Sequence, residues 1–114
     1  MISIEVIRTP TGEVIEFTAH GHAGYDDWGQ DIVCAAVSAL TLSAVNGLMA
    51  HAQLQPDVRA DEKTGLLHCR LHPDMLRGEA GIKAQAILET MVTGLEEIAK
   101  LYSDHIEVKE VVRT

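Results

Sequence analysis

The stretch from Ile32 to Ala50 constrains the fold more than any other part of the chain. It is apolar at most positions, with Ser38, Thr41, Ser43, Asn46 and Gly47 as interruptions. Val33, Val37, Leu40, Ala44 and Leu48 recur at helical spacing. Cys34, Ala35, Ala36, Leu42, Val45 and Met49 fill much of the remaining circumference. The pattern predicts a helix of about five turns beginning at Ile32, with Asp31 as its N-cap. A helix that is apolar nearly all round has to be covered on more than one side. A sheet can cover one side; a second helix or another subunit must cover the other. The stretch approaches membrane-spanning length. Its polar interruptions, and the lack of closely flanking Lys or Arg, favour a buried helix.

The segments around it can supply the sheet. Met1 to Arg8 and Glu13 to Ala19 alternate in polarity about Thr9-Pro10-Thr11-Gly12, which is turn chemistry, so they read as a β-hairpin. In the second of these strands Val14, Glu16 and Thr18 are expected opposite Ile15, Phe17 and Ala19. Gln55-Pro56 breaks the chain. Val58 to Glu62 and Leu66 to Leu71 then form a second hairpin around Lys63-Thr64-Gly65, which Pro73 ends. A second helix is expected from about Glu79 to Tyr102. It carries Ala84, Leu88, Met91, Leu95, Ile98 and Tyr102 as one stripe, with Glu96 and Lys100 paired one turn apart. His105 to Val112 makes a last strand. The order ββαββαβ points to an α+β fold: a mixed, mainly antiparallel sheet with two helices. With 114 residues and no internal linker, residues 1–114 are expected to form a single compact domain.

Nine Lys and Arg against seventeen Asp and Glu leave a net charge of −8. That balance argues against direct nucleic-acid binding and against an anionic membrane surface, and it suits a neutral or cationic partner. The first residues lack the basic start and apolar core of a secretory signal. Two cysteines are too few for a disulfide scaffold, so the expected setting is cytoplasmic. Only four aromatics are present, Phe17, Tyr25, Trp28 and Tyr102, which leaves the core to aliphatic side chains and alanine.

The chemistry concentrates between residues 21 and 38. Cys34 falls at the third position of the predicted helix. Unpaired N–H groups and the helix dipole there favour thiolate over thiol. His22 lies twelve residues earlier, at the end of a strand. The intervening glycine-rich loop is long enough to fold its imidazole back onto the sulfur. A Cys–His pair so placed is a nucleophile with its base. Asp31 has two readings. It can cap the helix, accepting from the Cys34 N–H, which removes one natural oxyanion donor and sets a charge against the thiolate, or it can turn to His22 and orient it as a third catalytic member does. Gly24 and Gly29 bracket Tyr25 to Trp28 as two hinges bracket a lid; the same residues also suit a surface loop with Trp28 against the core. The N–H groups of Cys34 and Ala35 are the first candidates for an oxyanion hole, and the Gln30 amide is a second. Ser38, one turn beyond Cys34, either meets the substrate or packs the helix.

Gly21-His22-Ala23-Gly24, followed by Asp31-Ile32-Val33-Cys34-Ala35-Ala36-Val37-Ser38, closely resembles the signature of the Prp family, the bacterial ribosomal-processing cysteine proteases. The likeness extends over the whole chain in length and element order. It implies a Cys–His endopeptidase with His22 and Cys34 as the catalytic pair. It also implies a substrate, the precursor of a large-subunit ribosomal protein (the twenty-seventh in the standard count), whose short N-terminal extension is removed. It implies a homodimer as well, which agrees with the spare apolar face of the first helix. No cofactor is implied. A ribosomal protein is expected to be basic, and an acidic enzyme suits it. The alternative reading is a non-catalytic dimeric peptide-binding or assembly module in which Cys34 only packs.

Other reactive side chains have plainer expectations. Cys69, between Leu67 and Leu71, reads as a core thiol. His20 with His22, and His68 with His72, lack the further ligands of a metal site at usual spacing, so no metal is expected. Asp57, Asp61, Glu62, Glu96 and Glu97 read as solvated acids.

Overall fold

The computed structural model describes residues 1–27 and 30–113. Strands β1 (Ile2–Arg8) and β2 (Val14–His20) form the first hairpin, and helix α1 spans Ile32–Ala52. Strands β3 (Asp57–Asp61) and β4 (Leu66–Arg70) form the second hairpin, helix α2 spans Gly78–Leu101, and β5 (Ile106–Val112) returns to the sheet. A short 3₁₀ turn at Pro73–Leu76, between β4 and α2, is an addition to the expected order. The strands lie in the order β3-β4-β2-β1-β5. β5 runs parallel to β1 and every other neighbouring pair is antiparallel. The fold is therefore the expected α+β arrangement, a five-stranded mixed sheet with two helices.

Alternation decides which sheet face is covered. Ile2, Ile4, Val6, Phe17, Ala19, Leu67, Cys69 and Ile106 join one buried cluster with Val33, Val37, Val45 and Leu48 of α1 and Ala84, Leu88, Met91 and Leu95 of α2. Each large aliphatic side chain in such a cluster contributes about 1.5–3 kcal/mol, so a core in which Phe17 is the one fully buried aromatic ring among the described residues can still hold. Beyond Val6 the same face of β1 ends in Arg8. Its guanidinium forms a two-bond pair with Glu89 of α2 at 2.8 and 2.9 Å and reaches Glu110 of β5 at 3.0 Å.

Two details of the expected pattern are corrected. Arg8 pairs with Val14 and Ile7 with Glu16, so Ile15 is an extra residue in β2. This bulge turns Val14 to the buried side, where it is fully covered along with Phe17, against the strict alternation expected. Lys100 pairs with Glu97, three residues back at 3.4 Å, instead of Glu96.

The second cover for α1 is α2. The helices approach where their residues are small. A Cβ on Gly94 would come within 2.8 Å of Leu40 Cδ1, and one on Gly47 within 3.5 Å of Ile87 Cγ2. Val33, Val37, Thr41, Ala44, Val45, Leu48 and Ala52 are buried, so α1 is a core helix although its length and composition would allow a membrane span. Ala35, Ser38, Ala39, Leu42, Asn46 and Met49 remain exposed along one side.

Candidate active site

Two helices do not cover five strands. At the edge strand β3 every residue stays exposed, and a cleft of ≈ 570 Å³ lies between that end of the sheet and α1. Ile2, Ala19, Leu67 and Ala60 contribute from the strands; Cys34, Ser38, Thr41 and Leu42 contribute from α1. His22 and Gly24, from the loop after β2, line the same space. The fold thus brings His22, Cys34, Gly21, Gly24, Asp31 and Ser38 to one cleft.

Asp31 is the N-cap of α1. One carboxylate oxygen accepts from the backbone N–H groups of Val33 and Cys34, both at 3.0 Å, and the other accepts from the Tyr25 N–H at 3.0 Å. The side chain is almost fully buried, at 8% exposure. Burial works to raise its pKa, but the N–H groups of Cys34, Tyr25 and Asp26 outweigh burial and hold it below the ordinary aspartate range. Of the two readings, the geometry is that of the cap, which also ties down the start of the loop.

The cap works against the thiolate that the helix N-terminus would favour. Cys34 was expected to gain acidity from the helix N-terminus. Its pKa is instead raised, first by burial and then by the Asp31 charge, with the Ala23 N–H opposing. The Cys34 N–H is spent on Asp31, and the Ala35 N–H on the Asp31 carbonyl at 3.1 Å. Neither is a free oxyanion donor here, which corrects the first choice made from the sequence. The N–H aimed at the sulfur is that of Ala23, 3.2 Å from Sγ. Ala23 is buried, and its carbonyl accepts from His105 Nδ1 at 3.0 Å.

The proposed lid is anchored at its start. Tyr25 stands edge-on to Tyr102 at 5.5 Å and to His105 at 5.2 Å, although it is 43% exposed. Asp26 lines the cleft. Gln30 is exposed, and its backbone N–H bonds to the Asp27 carbonyl at 2.9 Å. Trp28 and Gly29, the other lid residues, lie outside the described residues.

Several participants were not foreseen. His22 Nε2 lies 3.1 Å from the Lys63 carbonyl oxygen, in the turn between β3 and β4. Asp61 and Glu62 line the cleft instead of being merely solvated, and with Asp26 and Asp31 they make its titratable lining acidic; no Lys or Arg is among the described lining residues. A turn carbonyl from Lys63 and a histidine ahead of the last strand carry no catalytic signature, so their places at the site depend on contacts between distant residues. Cys69 is a core thiol as expected, 2% exposed, and both cysteines are free. His68 and His72 each face a carboxylate, Glu16 at 2.6 Å and Asp57 at 3.3 Å.

A family model described as cysteine protease Prp matches residues 1–107. The ribosomal processing cysteine protease Prp of Bacillus subtilis is 34% identical over 108 residues, covering 95% of this chain and 96% of that protein. Its namesake in Staphylococcus aureus strain Mu50 is 32% identical over 108 residues, covering 95% of this chain and 97% of that protein. The crystal structure of an essential ribosomal processing protease Prp from S. aureus, with a covalently linked product peptide, is similar at a TM-score of 0.87. It shares 30% identity over 96% of this chain and 99% of that one. The S. aureus enzyme with a substrate peptide gives a TM-score of 0.82 at 29% identity, with the same coverage.

Proposed function

This chain belongs to the Prp family of ribosomal-processing cysteine proteases, and from that premise we propose that Cys34 is its nucleophile, His22 its base, and a ribosomal-protein precursor its substrate. The precursor is that of the large-subunit protein twenty-seventh in the standard count, and the bond cut is the one that releases its N-terminal extension. The observation that carries this reading is the cleft itself. Cys34 at the start of α1 and His22 at the end of β2 line it together, and a backbone N–H already points at the sulfur.

The chemistry follows from these positions. Cys34 rests as the thiol, because burial and Asp31 disfavour its charge. His22 takes the Sγ proton as the sulfur attacks the scissile carbonyl carbon. The carbon–oxygen π pair moves to oxygen, and the Ala23 N–H, lying next to the new S–C bond, turns from sulfur to that oxyanion. The oxyanion collapses, the C–N bond breaks, and His22 returns its proton to the leaving amine. Water, deprotonated by His22, then hydrolyses the thioester and frees Cys34. Leu42, Ala60 and Leu66 offer apolar contacts to a peptide, while Asp26, Asp61 and Glu62 favour a cationic one. This is the charge complementarity that a basic ribosomal protein would meet.

The uncovered side of α1 is proposed to be closed by a second copy of the chain, with Ala39, Leu42 and Met49 in the contact. Leu42 and Met49 are 49% and 38% exposed, large values for core-type side chains. The proposed setting is cytoplasmic.

The direct test is incubation with the precursor, followed by mass spectrometry of both fragments. The intact enzyme should release the extension, and Cys34→Ala and His22→Ala should not. An uncleaved precursor with the intact enzyme would overturn the substrate. Full activity in either variant would overturn the residue roles.

A further inference from the structure

The pairing of Asp31 with three N–H groups leaves open what holds the His22 ring. The answer lies across the sheet edge, in the turn between β3 and β4. We propose that the Lys63–Gly65 turn is the positioning element of His22: the Lys63 carbonyl fixes the imidazole as the Nε2–H tautomer and leaves Nδ1 as the basic nitrogen. The inference rests on His22 being the base.

Three contacts support it. His22 Nε2 and the Lys63 carbonyl oxygen are 3.1 Å apart. A carbonyl can only accept, so Nε2 carries the hydrogen and donates it. The neutral ring then has its lone pair on Nδ1. Next, the turn is fastened to the residue before His22: the Gly21 N–H donates to the Thr64 carbonyl at 3.0 Å. Finally, the turn and the strand end touch backbone to backbone. A Cβ on Gly65 would sit 2.2 Å from the Gly21 carbonyl oxygen and 3.3 Å from His22 Cε1. Gly65 also has φ +68, a region that L side chains rarely adopt. Glycine at this position lets the turn close onto His22.

The arrangement has a chemical consequence. When Nδ1 takes the Cys34 proton, both ring nitrogens carry hydrogen. Nε2–H still donates to Lys63, and Nδ1–H faces the thiolate and later the leaving amine. The orienting acceptor is a neutral carbonyl rather than a carboxylate. It selects tautomer and ring orientation with less stabilisation of the imidazolium than a charged partner gives.

The experiment is a two-bond proton–nitrogen correlation on the ¹⁵N-histidine protein at mildly alkaline pH, with the His22 signals assigned by their loss in His22→Ala. The expected result is protonated Nε2 and unprotonated Nδ1; a predominant Nδ1–H tautomer would overturn the proposal. Gly65→Ala strains the hairpin itself, so the deciding variant is an ester in place of the Lys63–Thr64 amide, made by ligation. It keeps the shape and weakens that carbonyl as an acceptor. It should mix the two tautomers and lower kcat about three- to tenfold, the size of one neutral hydrogen bond, with KM within about twofold. Unchanged tautomer and kcat would refute the role of the turn. Retained cleavage by His22→Ala would instead refute the base assignment, and the tautomer measurement separates the two failures.

Discussion

Replacing Asp31 by Asn tests whether this residue caps a helix or serves His22, the proposed base. The carboxylate receives three N–H groups, from Val33, Cys34 and Tyr25, each at 3.0 Å. Asn keeps one acceptor oxygen for the first two and presents an NH₂ to the third, which is then left without a partner. Losing one part-buried hydrogen bond and the charge assistance of the others should cost about 1–2 kcal/mol. At roughly 2.1 cal/mol/K per residue, a chain of this length has an unfolding entropy of about 0.24 kcal/mol/K, so Tm should fall by about 4–8 °C.

The loss should also depend on pH. The folded-state pKa of Asp31 lies below its ordinary value of 3.8. Its contribution to stability is therefore fully present above the unfolded value and is lost as pH falls through the folded one. The Tm gap between wild type and Asp31→Asn should be widest near neutrality and close in strong acid. The Asp31 charge also raises the Cys34 pKa, so the Asn variant should react faster with iodoacetamide at a fixed pH near 7. Calorimetry and alkylation kinetics measure both effects on one preparation, with precursor cleavage followed alongside. An unchanged Tm together with a collapse in turnover and no gain in alkylation would refute the cap argument and return Asp31 to the role of orienter.

Two further outcomes are expected. The buried thiol of Cys69 is pushed up to about 12, so at pH 8 only about one molecule in 10⁴ carries its thiolate. Iodoacetamide should label Cys34 far ahead of Cys69 in the folded protein, by peptide mapping; equal rates would contradict the site as described. On the open side of α1, Met49→Glu should shift the chain from dimer to monomer in sedimentation velocity without affecting the cleft, which Met49 does not line. A wild-type chain that sediments as a monomer at micromolar concentration would remove the proposed interface.

The strands, the long helices and the proposed reactive pair could be read in the sequence because they depend on local pattern. Alternation marks Met1 to Arg8 and His105 to Val112 as strands, turn chemistry marks both hairpins, and Asp31 before an apolar run marks the start of α1. Cys34 inherits its place in the first turn from that start, and His22 its place after a strand. The bulge at Ile15 was not legible, because it arises from register between two strands. The same limit applies to the site. The acid that caps Cys34 has an obvious local role, yet only the fold shows that its second oxygen also takes the Tyr25 N–H. The sequence by itself determined which strands and long helices form and singled out His22 and Cys34 as the proposed reactive pair. The tertiary structure decided what surrounds them: an amide from Ala23 at the sulfur, His105 behind it, a turn carbonyl from Lys63 at the imidazole, and acids from β3 and its turn at the cleft. Each of those contacts joins residues with no periodic relation, and their spacing is set by how the hairpins and helices pack.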